Sequence, residues 1–339
     1  MKLATYKDGS RDGHLVVVSR DLTSAHYASG IATRLQQVLD DWNFLSPQLQ
    51  DLYTTLNHGR ARHAFTFEPR QCMAPLPRTY RLAHTSAYVN LLELTLKARG
   101  IEIPENLCDQ PLMTHGPGDT MLGPCDPIVG DEAWGIDFEA GIAAVTGDVG
   151  MGCTPGQGLE SVRLLMLANV VSLRDLMPAE PLMYFGFLQG KLAAAFSPVA
   201  VTPDELGEAW QHGRLHLTLQ TSWNGRTVGL CDAGGGKTFH FGQLIAHLCR
   251  TQEMRAGSIV ATGAVADNDA SRGYSCILQK RAMETVEDGA PKTAYMQAGD
   301  ALRIEMKGSD GASVFGPIEQ QVVSPATQAA ENGSENCAR

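Results

Sequence analysis

The chain is expected to fold as a strand-rich α+β protein, with a small amino-terminal β/helix unit ahead of a larger, mostly antiparallel domain. Three observations lead there. At 339 residues and 36.5 kDa the chain has room for a large core plus a smaller appendage. The middle and carboxy-terminal parts consist of short β-branched or apolar runs punctuated by Gly, Pro and Asp-Gly, the pattern of antiparallel strands and turns. Helical spacing is confined to a few stretches.

Taken in order, Leu15-Val-Val-Val-Ser19 reads as a strand, preceded by turn material at Asp8-Gly9-Ser10 and Asp12-Gly13. Ile31, Leu35, Val38, Leu39 and Trp42 recur at helical spacing, and Ser46-Pro47 opens a second helix through Leu49, Leu52, Tyr53 and Leu56. This first unit covers residues 1–69, with Glu68-Pro69-Arg70 as the link. Residues 70–325 form the larger domain. In it Ser86 to Arg99 reads as a helix stopped by Gly100, and further helices are expected over Leu159 to Asn169 and Phe241 to Arg250. The tail 326–339 has little to bury and is expected to be disordered.

Composition narrows the function. A net charge of −10 lacks the clustered Lys and Arg that nucleic acid or an anionic membrane demands. No apolar run approaches the ~20 residues that span a bilayer. Met1-Lys2-Leu3-Ala4-Thr5-Tyr6-Lys7-Asp8 also lacks the apolar core of a secretion signal, so a cytoplasmic location is expected. Eight cysteines include no Cys-x-x-Cys pair and read as reduced, small hydrophobes. Gly234-Gly-Gly-Lys-Thr238 has Cys231 where a phosphate-binding loop needs its first Gly, so a hairpin turn explains it better. Gly150 to Gly158 is glycine-dense without the spacing of a dinucleotide fingerprint. Histidines such as His216 and His247 show no metal-ligand spacing.

The most informative stretch is Trp134-Gly-Ile-Asp-Phe-Glu139-Ala-Gly141, continuing to Gly147. Alternate strand positions share a face, so Asp137, Glu139 and Gly141 would project together. The segment resembles the metal-binding strand of the fumarylacetoacetate hydrolase family, which usually reads Asp-x-Glu-x-Glu. Asn169-Val-Val-Ser172-Leu-Arg174 resembles that family's Asn-Asp-x-Ser-x-Arg helix segment, with Val170 in place of a metal-binding Asp. Phe187-Leu-Gln189-Gly-Lys191 through Pro203 resembles its lysine-bearing loop and following strand. Asp109-Gln110-Pro-Leu-Met113 resembles the segment opening the site, with Gln110 at the remaining metal position. Ala256 to Val265 resembles a glycine-rich stretch in which Ala264 replaces a substrate-contacting Thr. The likeness runs through Gln71-Cys-Met-Ala-Pro75-Leu-Pro77 to Phe315-Gly-Pro-Ile-Glu-Gln320.

The resemblance implies a mixed β-roll catalytic domain, a homodimer, and cleavage or tautomerisation of β-dicarbonyl compounds around Mg²⁺ or Ca²⁺. Glu139 alone of the implied ligand set is present; Gln110, Gly141 and Val170 occupy the vestigial positions. No metal cofactor is therefore expected, although weak Mg²⁺ or Ca²⁺ at Glu139, or compensation by Asp109, Asp119 or Asp137, stays open. Lys191 and Arg174 match the family's cations and would donate to a developing oxyanion. Arg174 would otherwise pair with Asp175 or Glu180. Glu139, among apolar neighbours, would carry a raised pKa and serve as acid or base, or else bridge to Lys191. His115 is the nearest proton carrier in sequence, and Gln189, Gln110, Thr262 and Ala264 are the expected substrate contacts. Two function classes follow: a metal-independent enzyme on a small polarised carbonyl compound, favouring isomerisation, condensation or cyclisation over hydrolysis, or an inert relative kept as a ligand-binding or assembly subunit.

Overall fold

A computed structural model describes residues 1–177, 189–236 and 239–330. The first unit contains strands β1 (Lys2–Tyr6), β2 (His14–Val18), β3 (Ser24–Tyr27) and β4 (Phe65–Thr66), with helices α1 (Leu35–Asp40) and α2 (Trp42–Asn57) between β3 and β4. Helix α2 begins four residues ahead of the expected Ser46 and carries Pro47 inside it. The expected link is a short helical turn, Pro69–Gln71.

The larger part continues with β5 (Leu82–Thr85), α3 (Val89–Ala98), β6 (Met113–Gly116), β7 (Ile128–Val129), β8 (Ile136–Asp137) and β9 (Ala140–Thr146). Then come α4 (Pro155–Glu160), β10 (Val162–Asn169), β11 (Ser172–Leu173), β12 (Ala195–Phe196), β13 (Ala200–Val201), β14 (Trp210–Gln211) and β15 (Arg214–Leu215). The chain goes on through β16 (Thr218–Trp223), β17 (Arg226–Asp232), α5 (Phe241–Leu248), β18 (Ile259–Ala261), α6 (Ile277–Asp288), β19 (Ala301–Met306) and β20 (Ile318–Val323).

The dominant sheet runs β4-β3-β2-β1-β13-β10-β9-β18-β5-β6, with β12 also paired to β10. A second sheet runs β17-β16-β19-β20-β7. Pairing is antiparallel except at β18/β5 and β20/β7. The alternation of β10 shows how the layers stack. Leu165 and Leu167 face one core with Leu219, Ile304 and Ile318 of the second sheet. Leu164 and Met166 face the other, with Leu35, Val38, Leu49 and Tyr53 of α1 and α2. The molecule is thus three layers, helices on sheet on sheet.

The expected helix over Leu159 to Asn169 is instead the end of α4 followed by β10. A short, nearly continuous apolar run suits a strand buried on both faces as well as it suits a helix. Pairing with β9 on one side and β13 on the other decides for the strand. Likewise the Asn169–Arg174 segment is no helix: it leaves β10 and pairs through β11 with β8. Residues 325–330 are helical where the tail was expected to lack order, and the rest of that tail lies outside the described residues. Lys237 and Thr238 of the glycine-rich turn also lie outside them. Cys72, Cys231, Cys249 and Cys276 are buried free thiols.

Candidate functional site

Where β8 and β9 meet β11, four charged side chains close on one another. Arg174 sits just beyond β11. Its Nε lies 2.8 Å from Asp137 Oδ2 and its Nη2 2.6 Å from Glu139 Oε1. Lys191 Nζ lies 3.0 Å from the same Glu139 oxygen and donates to Ser172 Oγ at 2.6 Å. Ser172 Oγ in turn donates to Glu139 Oε1 at 2.5 Å. The remaining capacity of Asp137 is met by α6, because Ile277 N–H donates to Oδ1 at 2.6 Å and Leu278 N–H to Oδ2 at 3.1 Å. A carboxylate at a helix amino terminus is also favoured by the helix's partial positive charge. Two negative and two positive groups cancel, which is how such a buried set is tolerated.

The electrostatics follow from this packing. Burial alone would push the Glu139 carboxyl up; Lys191, Arg174 and the Ser172 hydroxyl override it and hold it at about 2. The expected raised pKa is therefore corrected, because the two cations outweigh desolvation. Burial raises Asp137 in spite of Arg174, and burial lowers Lys191 in spite of Glu139.

A small cavity of about 120 Å³ opens beside the cluster. Glu139 and Arg174 form its charged wall, Tyr88 and Cys276 are among its other lining residues, and Thr262 and Ala264 close it from the strand end after β18. Thr262 is already committed, since its Oγ1 accepts from Ile142 N–H at 3.2 Å and donates to the Gly263 carbonyl at 2.9 Å. The fold thus brings Glu139, Arg174, Lys191, Thr262 and Ala264 into one neighbourhood. His115 and Gln110 stand apart: His115 is exposed on β6, the end strand of the dominant sheet, and Gln110 is exposed on the loop before it. His115 does not line the cavity and has no hydrogen bond to the cluster among the described residues, although its charge acts on His84. Gln189 is exposed, and Phe187 and Leu188 of its motif lie outside the described residues. Arg174 pairs with Asp137 and Glu139 and not with Asp175; Glu180 lies outside the described residues.

Sequence reading passed over Ser172, the hub between Lys191 and Glu139, and His84. His84 on β5 is 4% exposed, and neither ring nitrogen has a hydrogen-bond partner among the described residues. Burial, then the charge of Lys191, lower its pKa to about 3 against the pull of Glu139, so the ring is neutral at neutral pH. Ser172 had a signal, lying in the quoted Asn169–Arg174 segment. His84 had none.

Comparison with known proteins places this arrangement. The pattern described as "Fumarylacetoacetate (FAA) hydrolase C-terminal" matches residues 83–323, and "Fumarylacetoacetase N-terminal domain 2" matches residues 1–78. The chain belongs to the fumarylacetoacetate hydrolase family. Among solved structures it is similar to the fumarylacetoacetate hydrolase of Exiguobacterium antarcticum, at 19% identity and a TM-score of 0.67 over 96% of this chain and 99% of that one. It is similar too to maleylpyruvate hydrolase from Sphingobium sp. SYK-6, in complex with manganese (II) ion and pyruvate, at 14% identity and 0.62, and to 5-carboxymethyl-2-hydroxymuconate delta-isomerase from Mycobacterium smegmatis, at 14% and 0.58. Each of these two alignments covers 96% of this chain and 99% of the other. No curated protein matches the chain.

The positions that the resemblance gives to a divalent ion offer few ligand atoms here, Glu139 Oε2 being the carboxylate oxygen that no cluster donor occupies. Such ions take six or more ligands, mostly oxygens. Glu139 Oε1 already receives Ser172, Arg174 and Lys191. A side chain at Gly141 would begin 2.2 Å from the Gly263 carbonyl oxygen. Val170 is buried in the apolar core with Met166 and Phe196. Among the described residues no group of three or more His, Cys, Asp or Glu side chains is placed to hold a metal ion.

Proposed function

We propose that this protein is a fumarylacetoacetate hydrolase-family enzyme that acts on a small dicarbonyl or otherwise enolisable oxo acid without a bound divalent ion. The observation carrying the reading is Arg174: a guanidinium held by two carboxylates that also forms the wall of the small cavity. Its remaining donor capacity suits a substrate carboxylate or an enolate oxygen, and such a donor gains strength where water is scarce. Tautomerisation fits this site better than hydrolysis. It exchanges a C–H bond for an O–H bond or the reverse, with the proton passing through solvent water, and needs no water activated as a nucleophile; the similar 5-carboxymethyl-2-hydroxymuconate delta-isomerase supports the class. Glu139, held ionised at about 2, is a weak base near neutrality. Its role, and that of Lys191 behind it, is to position Arg174. A homodimer in solution belongs to the same reading.

A second reading, a ligand-binding or assembly subunit without turnover, is favoured by one observation: Arg174 and Lys191 are both already paired with carboxylates of the cluster. An assay panel of acylpyruvates, maleylpyruvate and 2-hydroxydienoate acids, run with EDTA and with Mg²⁺ or Mn²⁺, separates the possibilities. The expected result is turnover that survives EDTA and falls roughly 10²-fold in Arg174→Gln. Binding with no turnover favours the second reading. Activity that EDTA abolishes and Mn²⁺ restores overturns the metal-free assignment, as does calorimetry showing micromolar Mg²⁺ or Ca²⁺ at Glu139.

A further inference from the structure

A second cavity, larger than the one beside Arg174, lies away from the charged cluster, where the amino-terminal unit meets the larger domain. Its volume is about 910 Å³, against about 120 Å³ beside Arg174. That is the size range of small-molecule sites, and junctions between units are where such sites concentrate. Its apolar lining includes Leu35 on α1, Leu76 and Met121, all at most 5% exposed. Hydrogen bonds from Thr79 N–H to the Gly118 carbonyl (2.7 Å) and from Met121 N–H to the Pro77 carbonyl (2.9 Å) knit the lining segments together.

Two side chains on its rim lack ordinary structural employment. Tyr80 is a large aromatic left 68% exposed. Arg11 has no ion pair or hydrogen bond among the described residues, whereas its neighbours on the rim are engaged. Arg78 binds Asp12 through two hydrogen bonds of 2.6 and 2.7 Å, Arg34 pairs with Asp8 at 3.1 Å, and Asp40 accepts from Gln36 at 2.7 Å. The lip carrying Arg11 is also braced. Gly13 has a φ of +61°, and a Cβ there would stand 2.5 Å from Thr5 and 2.7 Å from Met73. The wall is pre-formed, so the ordering cost of binding falls on the Arg11 and Tyr80 side chains.

We propose that this cavity is a second ligand site for a flat monocarboxylate, with the carboxylate on the Arg11 guanidinium and the apolar body between Tyr80 and the Leu76–Met121 side. A guanidinium offers a planar fork matched to a carboxylate, and an exposed tyrosine offers a face for a planar group. Asp119, exposed on the segment after β6, and Asp40, met only by the neutral Gln36 amide, are the acidic groups of the lining without a cation partner among the described residues and disfavour a second carboxylate in the ligand. The site is independent of the reading given to Arg174.

The test uses the full chain and trans-cinnamate as probe, with neutral cinnamamide beside it, followed by ligand-detected NMR and calorimetry. The expected result is saturable cinnamate binding, weakened at least ~10-fold by Arg11→Ala, by Tyr80→Ala and by loss of the probe's charge, and unchanged in Arg174→Gln. Three outcomes overturn the proposal: no saturable binding, binding indifferent to Arg11 and Tyr80, or binding lost in Arg174→Gln. Rim variants that change the mass of the particle in light scattering, and not the affinity, also overturn it, since the cavity would then be covered by a second copy.

Discussion

At the scale of single residues, the site rests on charge balance. Asp137, Glu139, Arg174 and Lys191 are each tolerable in the interior only because the others are present, so removing one costs more than its own contacts. Lys191→Met should destabilise the fold by roughly 3–5 kcal/mol, because a buried carboxylate loses a partner. The double variant with Glu139→Gln should recover much of that loss. The sign of the acid response follows from Glu139. Its folded pKa of about 2 lies below the usual 4.5, so its contribution is complete above about pH 4.5 and is lost as pH falls toward 2. Urea unfolding across that window should show wild type losing roughly 3 kcal/mol more than Glu139→Gln, whose slope is flatter. Asp137, raised by burial, titrates in the opposite sense, so the difference between the two proteins is the quantity to read. Parallel profiles would remove the claim that Glu139 is held ionised.

At the scale of elements, strand alternation and helix spacing carried most of the sequence reading, and their failures share a cause. The pairing of Asp137 with Arg174, 37 positions apart, is invisible to any local pattern, as is the burial of His84. The strand β10 was misread because an apolar run is ambiguous until its neighbours are known. Helix α4 did have a local signal, Thr154-Pro-Gly-Gln157, whose reciprocal capping is present, and the reading passed over it. Gly141 was legible as a missing ligand, yet its physical reason lies in packing. The backbone just beyond β18 approaches β9 so closely that a Cβ would stand 2.2 Å from the Gly263 carbonyl, a backbone atom that cannot turn aside. Gly141→Ala should therefore cost about 1–3 kcal/mol in thermal unfolding. Gly150→Ala, with nothing within 4 Å of its Cβ, should be near neutral. Equal stability of the two variants would show that the strands have more room than this close approach allows.

At the scale of the whole molecule, residues 1–69 are less separable than a small leading unit suggests. Strand β1 pairs with β13 through Lys2–Val201 and Leu3–Ala200, so the dominant sheet crosses the boundary without a break. Helices α1 and α2 cover the face of that sheet which carries Val145, Leu164 and Met166 from the larger part. Glu205 adds a polar tie, accepting from Tyr53 at 2.7 Å and Arg20 at 2.9 Å across the same boundary. Taking the first unit away would expose apolar surface and an unpaired strand edge at once. The two parts should consequently unfold in one cooperative transition. Trp42 is the single tryptophan of the first unit, while Trp134, Trp210 and Trp223 report on the rest. In a variant keeping Trp42 alone, its fluorescence and the far-ultraviolet circular dichroism should share one urea midpoint and one slope. A Trp42 transition that runs ahead of the dichroism would mean that the amino-terminal unit lets go first, and that the shared sheet does not couple the two parts.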